Sequence, residues 1–123
     1  MTGRLPPLTH LTDRRLFAGD ILRLSDNYDA GPGSGPVDLM VFDPRDVDAG
    51  LGVIVTSGYK AGLILHVFPR ESVAPDGLGL CADWLVANWD RWIAYTYHPK
   101  DRIPVEKARV LRKEERSLPE EVR

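Results

Sequence analysis

The sequence predicts an α+β domain: a twisted antiparallel sheet of about five strands with one main helix packed across it, in the order β-β-β-β-α-β. Three observations lead to this reading. Four apolar or alternating runs follow one another between residues 20 and 68, separated by segments rich in Gly, Pro and Asp. All three tryptophans lie within residues 84–92 at helical spacing. No regular βαβ alternation appears, which argues against a doubly wound parallel sheet.

The elements follow in order. Residues 1–18 contain prolines and then Leu8, Leu11 and Leu16, which suit one helical turn packed on the domain. Residues 20–25 (DILRLS) alternate and read as a half-buried strand. Residues 26–36 (DNYDAGPGSGP) form a loop, since their glycines and prolines forbid regular structure. Residues 37–42 (VDLMVF) suit a central strand, and Pro44 biases Asp43 away from helix. Residues 51–56 (LGVIVT) are β-branched and form a third strand, joined by a hairpin over 57–62 to a fourth at 63–68 (LILHVF), which Pro69 ends. Residues 71–79 are irregular.

The helix spans residues 80–93, with Cys81, Leu85, Asn88/Trp89 and Trp92 on one stripe and Trp84 beside it. Each buried indole removes roughly 150–250 Å² from water, so this segment can organise a small core. Either all three indoles are core, or one is left partly exposed over a groove or partner. Residues 105–111 (VEKARVL) read as a last edge strand, where Lys and Arg discourage pairing with another chain. A chain of 123 residues fits one domain, with a core over about 16–112 and flexible ends at 1–7 and 113–123. The lone Cys81 has no internal partner. No apolar run reaches the length of a membrane span, and no secretory leader is legible, so the expected compartment is the cytoplasm.

The formal net charge of -2 hides an asymmetry. Residues 20–48 carry seven acids against Arg23 and Arg45, a balance of -5, whereas residues 98–123 carry eight bases and six acids. An acidic lobe disfavours nucleic acid as a partner, because phosphate binding needs a concentrated basic face. It favours a basic protein surface through steering. Aspartates also populate turns by bonding the local backbone, and both readings apply.

Little points to catalysis. His10, His66 and His98 are far apart, without metal-ligand spacing, so no metal is expected. Cys81 lies in an apolar stretch, without the basic neighbour that a thiol nucleophile needs. The segment Gly31-Pro32-Gly33-Ser34-Gly35 lacks the Lys-Ser/Thr ending of a phosphate loop, and no cofactor is expected.

The run 57–63 (SGYKAGL), then Pro69-Arg70-Glu71, Asp83-Trp84-Leu85 and Asn88-Trp89 with Trp92, resembles small immunity proteins of bacterial polymorphic toxin systems, in particular those of contact-dependent growth inhibition. The resemblance covers about residues 20–112. It implies a cytoplasmic, non-enzymatic inhibitor that binds the C-terminal toxic domain of a cognate toxin, often a nuclease, and occludes its active site. Loops commonly carry recognition, so the candidate toxin-binding residues are Asp26, Tyr28, Asp29, Asp43, Asp46 and Asp48, with Tyr28 as an aromatic anchor. No membrane or nucleic-acid partner is expected, and the chain is expected to be a monomer or weak homodimer. Two rivals stand beside this: a small-ligand or enzyme-like domain with a tryptophan-lined pocket, and an accessory domain that dimerises through the 105–111 edge.

Overall fold

The computed structural model describes residues 5–24, 37–57, 61–93 and 104–113. Its centre is a five-stranded antiparallel sheet in the order β5-β4-β3-β2-β7. The strands are β2 (Ile21–Leu24), β3 (Val37–Phe42), β4 (Ala49–Val55), β5 (Ile64–Pro69) and β7 (Arg109–Leu111). A separate two-stranded ribbon pairs β1 (Arg15–Leu16) with β6 (Leu80–Cys81).

Sequential strands β2 to β5 pair with their neighbours in chain order and make a meander. The alternation in β3 is regular: Val37, Leu39 and Val41 are buried, and Asp38, Met40 and Phe42 are half-buried on the other face. Register carries both faces across the sheet. Leu22 sits opposite Leu39, and Val41 opposite Val53, on the core side. Ile21 sits opposite Met40, and Met40 opposite Ile54, on the outer side. Gly52, also outer, is required by a close approach: a Cβ there would lie 2.5 Å from the His66 carbonyl oxygen and 2.7 Å from the Phe42 ring.

The core joins Leu22, Leu24, Leu39, Val41, Val53, Val55 and Phe68 of the sheet to Leu85, Trp89 and Ile93 from the tryptophan segment. Leu8, Leu11 and Leu16 are buried in the same cluster, so the core begins earlier than residue 16.

Three features differ from the sequence reading. First, the tryptophan segment is not one main helix. It opens as strand β6, then forms α1 (Ala82–Ala87) and α2 (Trp89–Trp92). Asn88 breaks it, with φ -110° and ψ 17°. The Asn88 side-chain amide donates to the Trp84 carbonyl oxygen at 2.8 Å, offering that acceptor a non-helical partner. The break rotates Trp89 into the core, at 3% exposure, and leaves Trp84 and Trp92 half-buried.

Second, the last strand is shorter than 105–111: Val105–Lys107 form a 3-10 turn and only Arg109–Leu111 pair with β2. Third, the far side of β7 is occupied by this chain's own N-terminal segment. Leu8 donates to the Ala108 carbonyl, Val110 donates to the Pro6 carbonyl, and Pro7 bridges Arg109. The outer side of residues 108–110 is therefore already paired by the chain itself.

Asp20 and Arg112 tie these ends together. Asp20 is 1% exposed and accepts from the Phe17 amide at 2.8 Å, the Lys113 amide at 2.9 Å and the Arg112 guanidinium at 3.0 Å. Arg112 donates also to the carbonyls of Arg15 and Asp13. One buried carboxylate thus fastens the segment after β7 to the turn before β2.

Candidate functional site

Two neighbouring surfaces stand out. The first is the turn at residues 43–48 between β3 and β4. The Asp43 carboxylate accepts from the Arg45 amide at 2.8 Å, and the Asp46 carboxylate accepts from the Asp48 amide at 2.9 Å. These local bonds hold the turn and let Arg45 adopt a φ of 61°, in the left-handed region. Asp43, Asp46 and Asp48 are all exposed, and Val47 at the tip is 80% exposed. Three acids against Arg45 leave the turn net negative; nearby, exposed Arg70 and Glu71 offset each other.

The second surface is strand β5. It is the terminal strand of the sheet, and among the described residues no strand pairs with its far side. Its apolar side chains are exposed to an unusual degree: Leu63 just before it is 55% exposed, Ile64 59% and Val67 39%. A register irregularity between Val53 and Ile54 of β4 explains how Ile64 and Val67 come to share a face despite odd spacing, since Ile64 sits opposite Ile54 and Val67 opposite Gly52. Both therefore extend the outer-face row that contains Met40, Phe42 and Ile54.

The two surfaces meet. Ala49, directly after the turn, pairs with Pro69 at the end of β5, and the Arg70 guanidinium donates to the Val47 carbonyl. An acidic turn thus adjoins one end of an apolar, open strand edge.

Behind β5 lies an aromatic cluster. Phe68, fully buried, meets Trp84 at 5.8 Å and Trp92 at 5.5 Å between ring centroids, both edge-on. His66 meets Trp92 edge-on at 5.5 Å, and Trp84 lies 6.0 Å from Trp92. The Trp84 indole N–H reaches the Glu71 carboxylate at 3.4 Å. These rings fill the space between strand and helices by touching one another, the arrangement of a packed layer rather than of a ligand slot. Burial pushes the His66 imidazole below its ordinary value, against a smaller opposing effect of a hydrogen bond with the Trp92 backbone. His66 is therefore neutral when folded at pH 7.

This has a measurable consequence. Above pH of about 6.5 both folded and unfolded His66 are neutral. As pH falls through that value, the unfolded chain takes up the proton first, so stability declines until the folded imidazole protonates too. His66→Gln is expected to lose this part of the pH dependence. Urea midpoints at pH 7.5 and pH 5.5 check it: a wild-type decline equal to that of the variant contradicts the assignment.

Of the candidate contact residues, Asp43, Asp46 and Asp48 come together on one turn, while Asp26, Tyr28 and Asp29 lie outside the described residues. Two other members of the acidic lobe are internal: Asp20 is buried against Arg112, and Asp38 forms a two-pronged pair with Arg23 at 2.8 and 2.9 Å. Neither is a free charge for a partner. Leu63, Ile64 and Val67 were missed by sequence reasoning, because LILHVF has the apolar continuity of a covered strand. The available signal was topological: a meander's last strand is an edge unless a later strand pairs with it. Among the described residues no three His, Cys, Asp or Glu side chains gather where a metal ion could be held, and no helix is long and apolar enough to cross a membrane.

An apolar open edge beside a charged turn, with the aromatic residues closed on one another behind it, is the kind of surface on which proteins receive other proteins. The chain matches the family model of Immunity protein 45 over residues 8–103, most of its length, and it belongs to that family. It is accordingly an immunity protein of a toxin system, a class that is generally non-enzymatic and neutralises a toxin partner. No curated protein and no solved structure matches the chain.

Proposed function

We infer that this protein binds a cognate bacterial toxin domain in the cytoplasm and occludes its active site, as in contact-dependent growth inhibition and related polymorphic toxin systems. The observation that carries the reading, beyond family membership, is the acidic turn at 43–48 set beside exposed apolar side chains on β5. Recognition sites commonly combine an apolar centre with a charged rim that steers approach. The charge favours a basic toxin surface, and nucleases, which must hold phosphate, display such surfaces. Asp43, Asp46 and Asp48 are proposed contacts, as are Asp26, Tyr28 and Asp29, which lie outside the described residues.

The charge can be removed without dismantling the turn. In Asp43→Asn, Asp46→Asn, Asp48→Asn, each side chain keeps an acceptor oxygen for the Arg45 and Asp48 amides. The toxin domain is sought by reading the adjoining upstream frame for a large secreted protein with a variable C-terminal region. Stopped-flow association with that domain is expected to slow about tenfold at low salt in the triple variant, with the difference shrinking towards 0.5 M salt (about 4 Å screening length). An unchanged rate at low salt removes the acidic turn from the interface.

A further inference from the structure

We propose that the open edge of β5 receives an extended segment of the toxin domain as an additional strand of the sheet, with a basic residue of that segment seated at the 43–48 turn. The inference rests on the reading above and names the mode and place of contact.

The two sheet edges are treated differently. The β7 edge is sealed by the Pro6–Leu8 backbone through the two hydrogen bonds of the Pro7–Arg109 bridge. The β5 edge has no such cover among the described residues. Natural sheets blunt an exposed edge with charged side chains, inward-pointing charges or extreme shortness, because a free edge pairs with other chains. Strand β5 spans six residues and carries no Lys, Arg, Asp or Glu. Its only devices are the terminal Pro69 and the irregular register against β4. Instead, Leu63, Ile64 and Val67 face solvent. A strand added here gains backbone hydrogen bonds along β5, and its alternate side chains cover Ile64 and Val67 and continue the outer-face row of Phe42 and Ile54.

The charge selects the occupant. The turn at one end of the edge holds Asp43, Asp46 and Asp48 against Arg45, which fits a cationic segment. A second copy of this chain, paired antiparallel through β5, would bring Ala61, Gly62 and Leu63 to that turn, with Lys60, next in sequence, as one basic residue against three aspartates. A basic extended segment of another protein is therefore the better fit. The aromatic layer of Phe68, Trp84 and Trp92 backs β5 and holds the edge in shape for docking.

The test uses the full chain and the cognate toxin domain identified as above. Amide hydrogen exchange is followed over residues 61–69 in the free chain and in the complex, and affinity is measured for the wild type, for Ile64→Lys and for Leu63→Lys. Both substitutions fall at exposed sites, and their thermal unfolding confirms an intact fold. Strand addition predicts new protection confined to one side of β5 and at least about 100-fold weaker binding by Ile64→Lys. A tight complex in which 61–69 gains no protection and both variants bind as the wild type overturns the β5 mode and leaves the inhibitor reading standing. A toxin domain that does not bind the wild type overturns both. A stable dimer of the free chain that Ile64→Lys dissociates assigns the edge to a second copy and also overturns the proposal.

Discussion

Phe68→Ala is expected to lower the free energy of unfolding by about 3–5 kcal/mol. Phe68 is fully buried, and its ring is the common neighbour of Trp84, Trp92 and His66. Removing it deletes the transfer free energy of the ring and opens a void that three stiff rings cannot close without leaving their rotamers. The position magnifies the effect. Among the described residues strand β5 has one strand neighbour, β4, and its register there is already irregular, so Phe68 is the main buried attachment of the edge to the helices. The melting temperature is expected to fall by roughly 10–20 °C, with loss of near-ultraviolet circular dichroism from the indoles. A loss under about 1 kcal/mol contradicts the packing described.

Asp20→Ala is expected to cost a similar amount, about 3–5 kcal/mol, for a different reason. The carboxylate is buried and satisfies two amides and the Arg112 guanidinium. Without it, these donors stay buried without that acceptor, and the Arg112 charge loses one buried counterion. Asp83→Asn provides the contrast. Asp83 pairs with Arg14 at the surface, with its side chain 69% exposed, and that change is expected to stay within about 1 kcal/mol. Urea titration of the two variants side by side separates a buried lock from a surface pair; equal effects contradict the assignment.

The sheet was largely legible from local pattern. The alternation in residues 20–25 and 37–42 and the β-branched run at 51–56 locate β2, β3 and β4 to within a residue or two, because period-2 burial leaves a direct trace in sequence. The break at Asn88 was not legible from periodicity: Leu85, Trp89 and Trp92 fit one helical stripe, and the competing bond from the Asn88 side chain to the Trp84 carbonyl shows only in three dimensions. The β1–β6 ribbon, two residues on each side, is too short to leave a period. At the site, Asp43, Asp46 and Asp48 were found because turn chemistry and charge are local properties. The acidic lobe was overcounted, because sequence alone does not reveal that Arg112 folds back onto Asp20 or that Arg23 lies opposite Asp38. The exposure of Ile64 and Val67 depends on strand order, which is a property of the whole chain.

The central claim is that this chain protects by binding a toxin domain. The most direct measurement is the growth of cells producing the cognate toxin domain, with and without this protein. Full growth is predicted with the wild type and with Asp83→Asn, and growth arrest with the folded Ile64→Lys, Asp48→Lys double variant. Arrest in the presence of the wild type, with both proteins produced and folded, contradicts the account.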